Sequence, residues 1–170
     1  YGNLCPNFYC GGDRILVSRG DMKKTQSKGF AGSALQIRQA AKALISTDNA
    51  MLLIKERHSD GTPFWTLPGG GVQSGESCAE ALRREIREEL DCHFYVGDAV
   101  DTVWYAHRSD AACVSLYTVY GCHIDSHPTP NITEGVYDYC WVAPEALPVG
   151  TLPQIQLVCS RREASSSQVL

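Results

Sequence analysis

The chain has 170 residues, 44% of them hydrophobic and 20% charged, with a formal net charge of −4. That length suits one domain with a sizeable core, and the acidic balance argues against a surface that coats nucleic acid. No apolar run approaches the ~18 residues of a membrane-spanning helix, and the start, YGNLCPNFYC, lacks the basic-then-apolar order of a secretory signal.

Residues 1–34 are rich in Gly, Ser and Lys and show no sustained period. They read as an irregular extension with one short apolar run, Ile15-Leu16-Val17. A main domain is expected over 35–155 and a loose polar tail over 156–170. From Leu35 the pattern tightens. "LQIRQAAKALIS" and "AMLLIKER", joined by the turn Thr47-Asp48-Asn49, read as a hairpin of two strands. "HSDGTP" is a loop and "FWTL" a short strand, ended by Pro68 and the glycines 69–71. A helix is expected over about 77–90, because no Pro or Gly interrupts it and Glu76 or Ser77 stands at its start. "HFYVGDAVDTVWYAH" and "CVSLYTVYGCHI" are β-type runs joined by the polar turn "RSDA". "HPTPNITEG" is a loop, "VYDYCWV" a further strand, and Pro144 to Leu147 a short turn of helix. Strands on both sides of a central helix point to an α/β or α+β sandwich.

Eight cysteines stand at 5, 10, 78, 92, 113, 122, 140 and 159. No pair has C-x-x-C spacing, so a zinc ribbon gains little support. Cys5 and Cys10 could supply half a metal site, but no second close pair completes it. The others fall in apolar or helical stretches, where a thiol acts as a small core residue. The expectation is reduced thiols in a cytoplasmic protein; a disulfide-bearing secreted domain is the alternative. Asn131-Ile132-Thr133 fits a glycosylation triplet, a pattern that chance produces often.

The expected helix carries the chemistry. At about 100° per residue, Ala79, Leu82, Ile86 and Leu90 share one stripe that docks on a sheet. Glu80, Arg83 and Arg87 lie on the opposite side, towards water. Glu85, Glu88 and Glu89 fall at i, i+3 and i+4, so their carboxylates converge on a third face beside the apolar stripe. Three clustered anions with few local cations call for an ion, and hard divalent cations prefer carboxylate oxygens. Gly69-Gly70-Gly71 lets backbone approach the same point. Taken alone, three glutamates could equally be a solvated acidic face paired with arginines.

The spacing as a whole resembles the Nudix box. Gly70 is followed five residues later by Glu76; seven more lead to Arg84-Glu85, then Ile86, Arg87, Glu88-Glu89, Leu90, and Cys92 in the hydrophobic place. Asp91 stands where the box has its last glycine, a position just past the helix that takes a left-handed turn; Asp tolerates that turn better than most residues. The order of elements from about Ala40 to Pro148 also looks like this family; residues up to 34 are not covered.

The resemblance implies a Nudix-type α/β/α sandwich with a mixed sheet around a catalytic helix. It implies a metal-dependent hydrolase that cleaves the diphosphate linkage of a nucleoside diphosphate derivative or nucleoside triphosphate, by attack of water at phosphorus. By the match, Glu85, Glu88, Glu89 and the carbonyl of Gly69 would hold Mg²⁺, with Mn²⁺ as an alternative. Arg84, with Glu76 as partner, would fix a helix carboxylate, and Gly70, Gly71 and Arg57 would meet substrate. The general base would be Glu85 or Glu134, the latter in the loop before the last strand. Trp65, Trp104, Tyr105 and Tyr117 could stack a base, though aromatics in β-runs more often belong to a core. His58, His107, His123 and His127 show no ligand spacing. Neither the proline marking ADP-ribose hydrolysis nor the tyrosine marking dinucleoside polyphosphates stands at Ala106 to Asp110, so the generic branch fits best. The implied partner is a small nucleotide-type substrate, with a homodimer as an option. The alternatives are a nucleotide sensor of the same fold without turnover, and an acidic-helix interaction domain.

Overall fold

The computed structural model describes residues 8–10, 13–15, 36–47, 49–106 and 113–166. Cys5, the Arg108–Ala111 turn and His107 lie outside the described residues. Two short strands, β1 (Phe8–Cys10) and β2 (Asp13–Ile15), pair antiparallel within the stretch expected to be irregular.

Two three-stranded sheets make the frame. In one, β3 (Gln36–Ile45) runs parallel to β7 (Cys113–Ile124), which pairs antiparallel with β6 (Phe94–Ala106). In the other, β4 (Met51–Arg57) lies between β5 (Pro63–Thr66) and β8 (Asp138–Val142), both antiparallel to it. The expected hairpin of 35–46 with 50–57 does not form a ladder. The two runs meet at a Ser46–Met51 bridge and then part into separate sheets. The reason is burial: Ala40 to Ile45 and Met51 to Ile54 are buried on both faces, so each strand sits between others instead of closing on its chain neighbour.

The core has two halves, one on either side of these strands. Ala41, Ala43, Ile45, Leu52 and Ile54 pack with Leu82, Ile86 and Leu90 of α1 (Cys78–Leu90). Leu44, Met51 and Leu53, from the opposite faces of β3 and β4, pack with Ile155, Val158 and Cys159 of α2 (Pro153–Ser166). The result is the expected mixed α+β sandwich. Burying each large side chain of the α1 stripe is worth about 1.5–3 kcal/mol. Ala81 belongs to that fully buried set, whereas Ala79 is half-buried.

The helix starts as a capping box. Ser77 Oγ accepts from the N–H of Glu80, and Glu80 accepts from the Ser77 N–H at 2.8 Å. It ends at Asp91, whose φ of 41° and ψ of 45° are left-handed, with its N–H on Arg87 O. Helix α2 crosses the boundary drawn at residue 155 and runs into the stretch expected to be loose, because Ile155, Val158 and Cys159 are buried. Residues 144–147 form a turn, not a helix.

Candidate active site

The glycine run behind β5 adds a backbone strip along β3. Ala43 N–H donates to Pro68 O at 2.8 Å, Ala41 N–H to Gly70 O at 3.0 Å, and Val72 N–H to Gln39 O at 2.9 Å. At two of these glycines an added Cβ would meet a neighbour. Gly69 has φ of +111°, and a Cβ there would run into Ala41 O. A Cβ on Gly70 would stand 2.5 Å from the carboxyl carbon of Glu85. The strip and one face of α1 therefore touch backbone to carboxylate, as the glycine spacing suggested.

Arg84 organises the acidic face. Its Nε donates to Glu76 Oε1 at 2.8 Å and its Nη2 to Glu76 Oε2 at 3.2 Å, a two-pronged pair. Its Nη1 reaches Glu85 Oε1 at 2.7 Å and Glu88 Oε2 at 3.1 Å, and its Nη2 also holds Gly71 O at 3.0 Å. The hydrogen bonds to Glu76 and Glu85 push its pKa up, and the Arg84 bond first, then the Gln73 N–H, hold the Glu76 carboxyl below the usual range. The expected Arg84–Glu76 partnership is thus present.

Glu89 is the deep member, 7% exposed. Its Oε2 accepts from the N–H of Gly69 at 2.7 Å. Burial pushes its carboxyl up to about 7, against a pull downward from the Lys42 ammonium. Lys42, itself 7% exposed, donates from Nζ to the carbonyl of Gly69 and lies 5.9 Å from the Tyr117 ring centre. The expectation of few local cations is met only in part: Arg84 and Lys42 offset some of the charge of the four carboxylates Glu76, Glu85, Glu88 and Glu89. Among the described residues, no three His, Cys, Asp or Glu side chains stand together as a ready-made metal cage. Lys42 escaped the sequence reading, yet one lysine inside "AAKALI" was a visible anomaly.

The remaining candidates divide. The loop before β8 is tied to the end of α1: Asn131 Nδ2 donates to Glu88 O at 2.9 Å, and Asn131 N–H to Glu89 O at 2.9 Å. Asn131 thereby serves the carbonyls left free at the helix end, a role at odds with the glycosylation reading of its triplet. Glu134 closes the short 3-10 turn that follows, exposed to solvent. Arg57 lies at the far end of β4, donating to Gly61 O at 3.0 Å and standing 4.9 Å from the Tyr137 ring centre. Lys55 sits 5.3 Å over the Trp65 ring. Tyr105 and Tyr117 stack at 6.0 Å, and burial pushes the Tyr117 hydroxyl up.

The family model for the NUDIX domain matches residues 36–161. A nucleoside triphosphatase NudI of Escherichia coli is 38% identical over 114 residues, which are 61% of this chain and 80% of that protein; the NudI of Shigella flexneri matches equally. A MutT NUDIX hydrolase from Burkholderia pseudomallei superposes with a TM-score of 0.63 at 26% identity, over 74% of this chain and 97% of that one. The MutT protein of Methanosarcina mazei, at 19% identity, shares the fold with a TM-score of 0.68, over 79% of this chain and 99% of that one. The box from Gly70 to Cys92 lies inside the matched range, on the strip and helix just described, and the chain belongs to the NUDIX domain family of hydrolases.

Proposed function

We propose that this chain hydrolyses the diphosphate linkage of a nucleoside triphosphate or a nucleoside diphosphate derivative, with a divalent ion, by attack of water at phosphorus. The observation that carries the reading is the seating of Glu85 and Glu89 on consecutive glycines: the Glu85 carboxyl fills the space at Gly70, and Glu89 takes the Gly69 N–H. The donor set fits a hard cation, because it consists of carboxylate and carbonyl oxygens only. Glu85, Glu88, Glu89 and the Gly69 carbonyl would hold Mg²⁺, or Mn²⁺ in its stead. Such an ion, when bound, neutralises phosphate charge and lowers the pKa of a coordinated water.

The chain's own groups do the rest. Arg84 holds Glu76, Glu85 and Glu88 in one arrangement and ties them to Gly71 O, so the carboxylates arrive oriented. Gly70 and Gly71 are further substrate contacts by the family match; neither carries a side chain of its own, and the Glu85 carboxyl lies against Gly70 while Arg84 holds Gly71 O. Arg57 is a further phosphate contact by the family match. The proton of the attacking water goes to Glu85, which lies against the strip, or to Glu134, whose loop Asn131 anchors to α1. A nucleoside triphosphate is favoured as substrate class by the name of the NudI relatives. A reducing, cytoplasmic setting is supported by six free thiols, Cys78, Cys92, Cys113, Cys122, Cys140 and Cys159. Among the described residues no helix is long and apolar enough to cross a membrane.

The test is release of phosphate or pyrophosphate from a panel of nucleoside triphosphates and nucleoside diphosphate derivatives, with Mg²⁺ and with chelator. Turnover that requires the ion and disappears in Glu85→Gln is expected. Turnover that survives full chelation, or no turnover on any diphosphate, would defeat the proposal.

A further inference from the structure

Lys42 stands where a simple sheet would place an apolar side chain. Its neighbours Ala41 and Ala43 are fully buried, and it is itself 7% exposed. Burying an ammonium costs heavily unless a partner offsets it. Two partners are present. The Nζ donates to the carbonyl of Gly69, and the charge acts on Glu89, whose Oε2 takes the N–H of the same glycine. One residue thus holds a buried cation by its carbonyl and a buried anion by its amide. The φ of +111° at Gly69 fixes both groups, and any Cβ there would run into Ala41 O.

We propose that Lys42 is a built-in counter-cation that sets how tightly this site takes a divalent ion. The inference rests on the metal reading above and deepens it. The Gly69 carbonyl is the oxygen assigned there to the ion, and an ammonium already donates to it. Two positive centres on one carbonyl repel, and the repulsion is strong because the surroundings are largely dry. The ion gains Gly69 O only when the lysine head gives way. The four-carbon stem lets it do so, and the Tyr117 ring 5.9 Å away offers a second seat. Lys42 therefore lowers divalent-ion affinity by holding the Gly69 carbonyl that the ion would take.

The experiment reads ion binding without substrate. Mn²⁺ is titrated into the full chain and the free ion is counted by electron paramagnetic resonance, for the unaltered protein, Lys42→Met and Lys42→Gln. Methionine keeps the length and removes the charge; glutamine removes the charge and keeps a donor for Gly69 O. Both folded variants are expected to bind Mn²⁺ about tenfold more tightly or better, a step of one decade in Kd. Unchanged or weaker binding would overturn the inference, since a merely structural counter-charge predicts no gain. Should either variant fail to fold, the unaltered chain still decides: the Lys42 ¹⁵Nζ resonance is expected to shift in step with Mg²⁺ filling the site, and a resonance unmoved at saturation would overturn it. An unaltered chain without any saturable Mn²⁺ site sinks the metal reading itself, and this inference with it; a saturable site indifferent to Lys42 sinks only this inference.

Discussion

Glu89 Oε2 accepts the backbone N–H of Gly69 at 2.7 Å, across twenty residues of sequence and from inside the core. This bond joins the glycine strip along β3 to the acidic face of α1. It also holds a carboxylate where burial disfavours its charge. The ordinary carboxyl value of 4.5 rises to about 7 there, mainly through desolvation.

That shift has a signed consequence for stability in ion-free protein. The folded state binds the Glu89 proton more tightly than the unfolded state does. Its contribution is therefore fully present below about 4.5 and is lost as pH rises through about 7. Glu89→Gln removes this dependence, so the gap in melting temperature between variant and unaltered chain should widen in the variant's favour between pH 5 and pH 8, for about 3 kcal/mol at most. Saturating Mg²⁺ should reverse the trend in the unaltered chain alone and leave the variant almost inactive. Parallel pH profiles for the two proteins would contradict the buried-carboxylate account.

Arg84 gives the second prediction. Its guanidinium spans Glu76 on one side and Glu85 with Glu88 on the other. A lysine supplies the charge as a point and cannot make the paired contacts with Glu76. Arg84→Lys should keep the far-ultraviolet circular dichroism of the parent and lose about ten- to a hundredfold in kcat/KM or in metal affinity. Parent-like values for both would remove Arg84 from its positioning role.

Much of this site was legible in the sequence because its chemistry fixes spacing. Carboxylates at 85, 88 and 89 share a helix face, and Arg84 must reach Glu76 from nearly two turns into that helix. What lay hidden depended on long-range pairing. Strands β3 and β4 read as a hairpin because a short turn joins two mainly apolar runs, and period alone cannot say which strands such a run will join. Helix α2 was missed because its buried apolar positions, Ile155, Val158 and Cys159, are few and polar residues follow them. Lys42 and Glu89 lie 47 positions apart in sequence, and only the fold shows that one glycine links them.

Adjacent glycines separate space from backbone strain. Gly70 lacks a positive φ, and an added Cβ meets only the carboxyl end of Glu85. Gly70→Ala should displace that side chain, leaving the melting temperature within a few degrees of the parent while activity falls at least tenfold. Gly69→Ala adds a φ of +111° and a clash with backbone oxygen. It should cost about 1–3 kcal/mol from the backbone conformation alone, seen as a lower midpoint in urea. Equal stability of the two variants would show that the strip is more pliable than its hydrogen bonds imply.

The final prediction concerns where water attacks. Charge grows on the bridging oxygen of the diphosphate as it leaves, and electrostatic stabilisation of such charge is usually the largest catalytic contribution. A covalent route would need a side-chain nucleophile beside a base. Ser77 is committed to the capping box with Glu80, and Cys78 packs against the α1 core cluster near Tyr120. Direct displacement by water is therefore the simpler course. In ¹⁸O-water, a single turnover should place one label on a phosphate product and none on sugar or base, by mass spectrometry. Cys78→Ser should turn over at the parental rate. Label on a carbon atom would refute attack at phosphorus. A phosphorylated protein trapped during turnover, or an inactive but folded Cys78→Ser, would replace the direct mechanism with a two-step one while leaving the family assignment untouched.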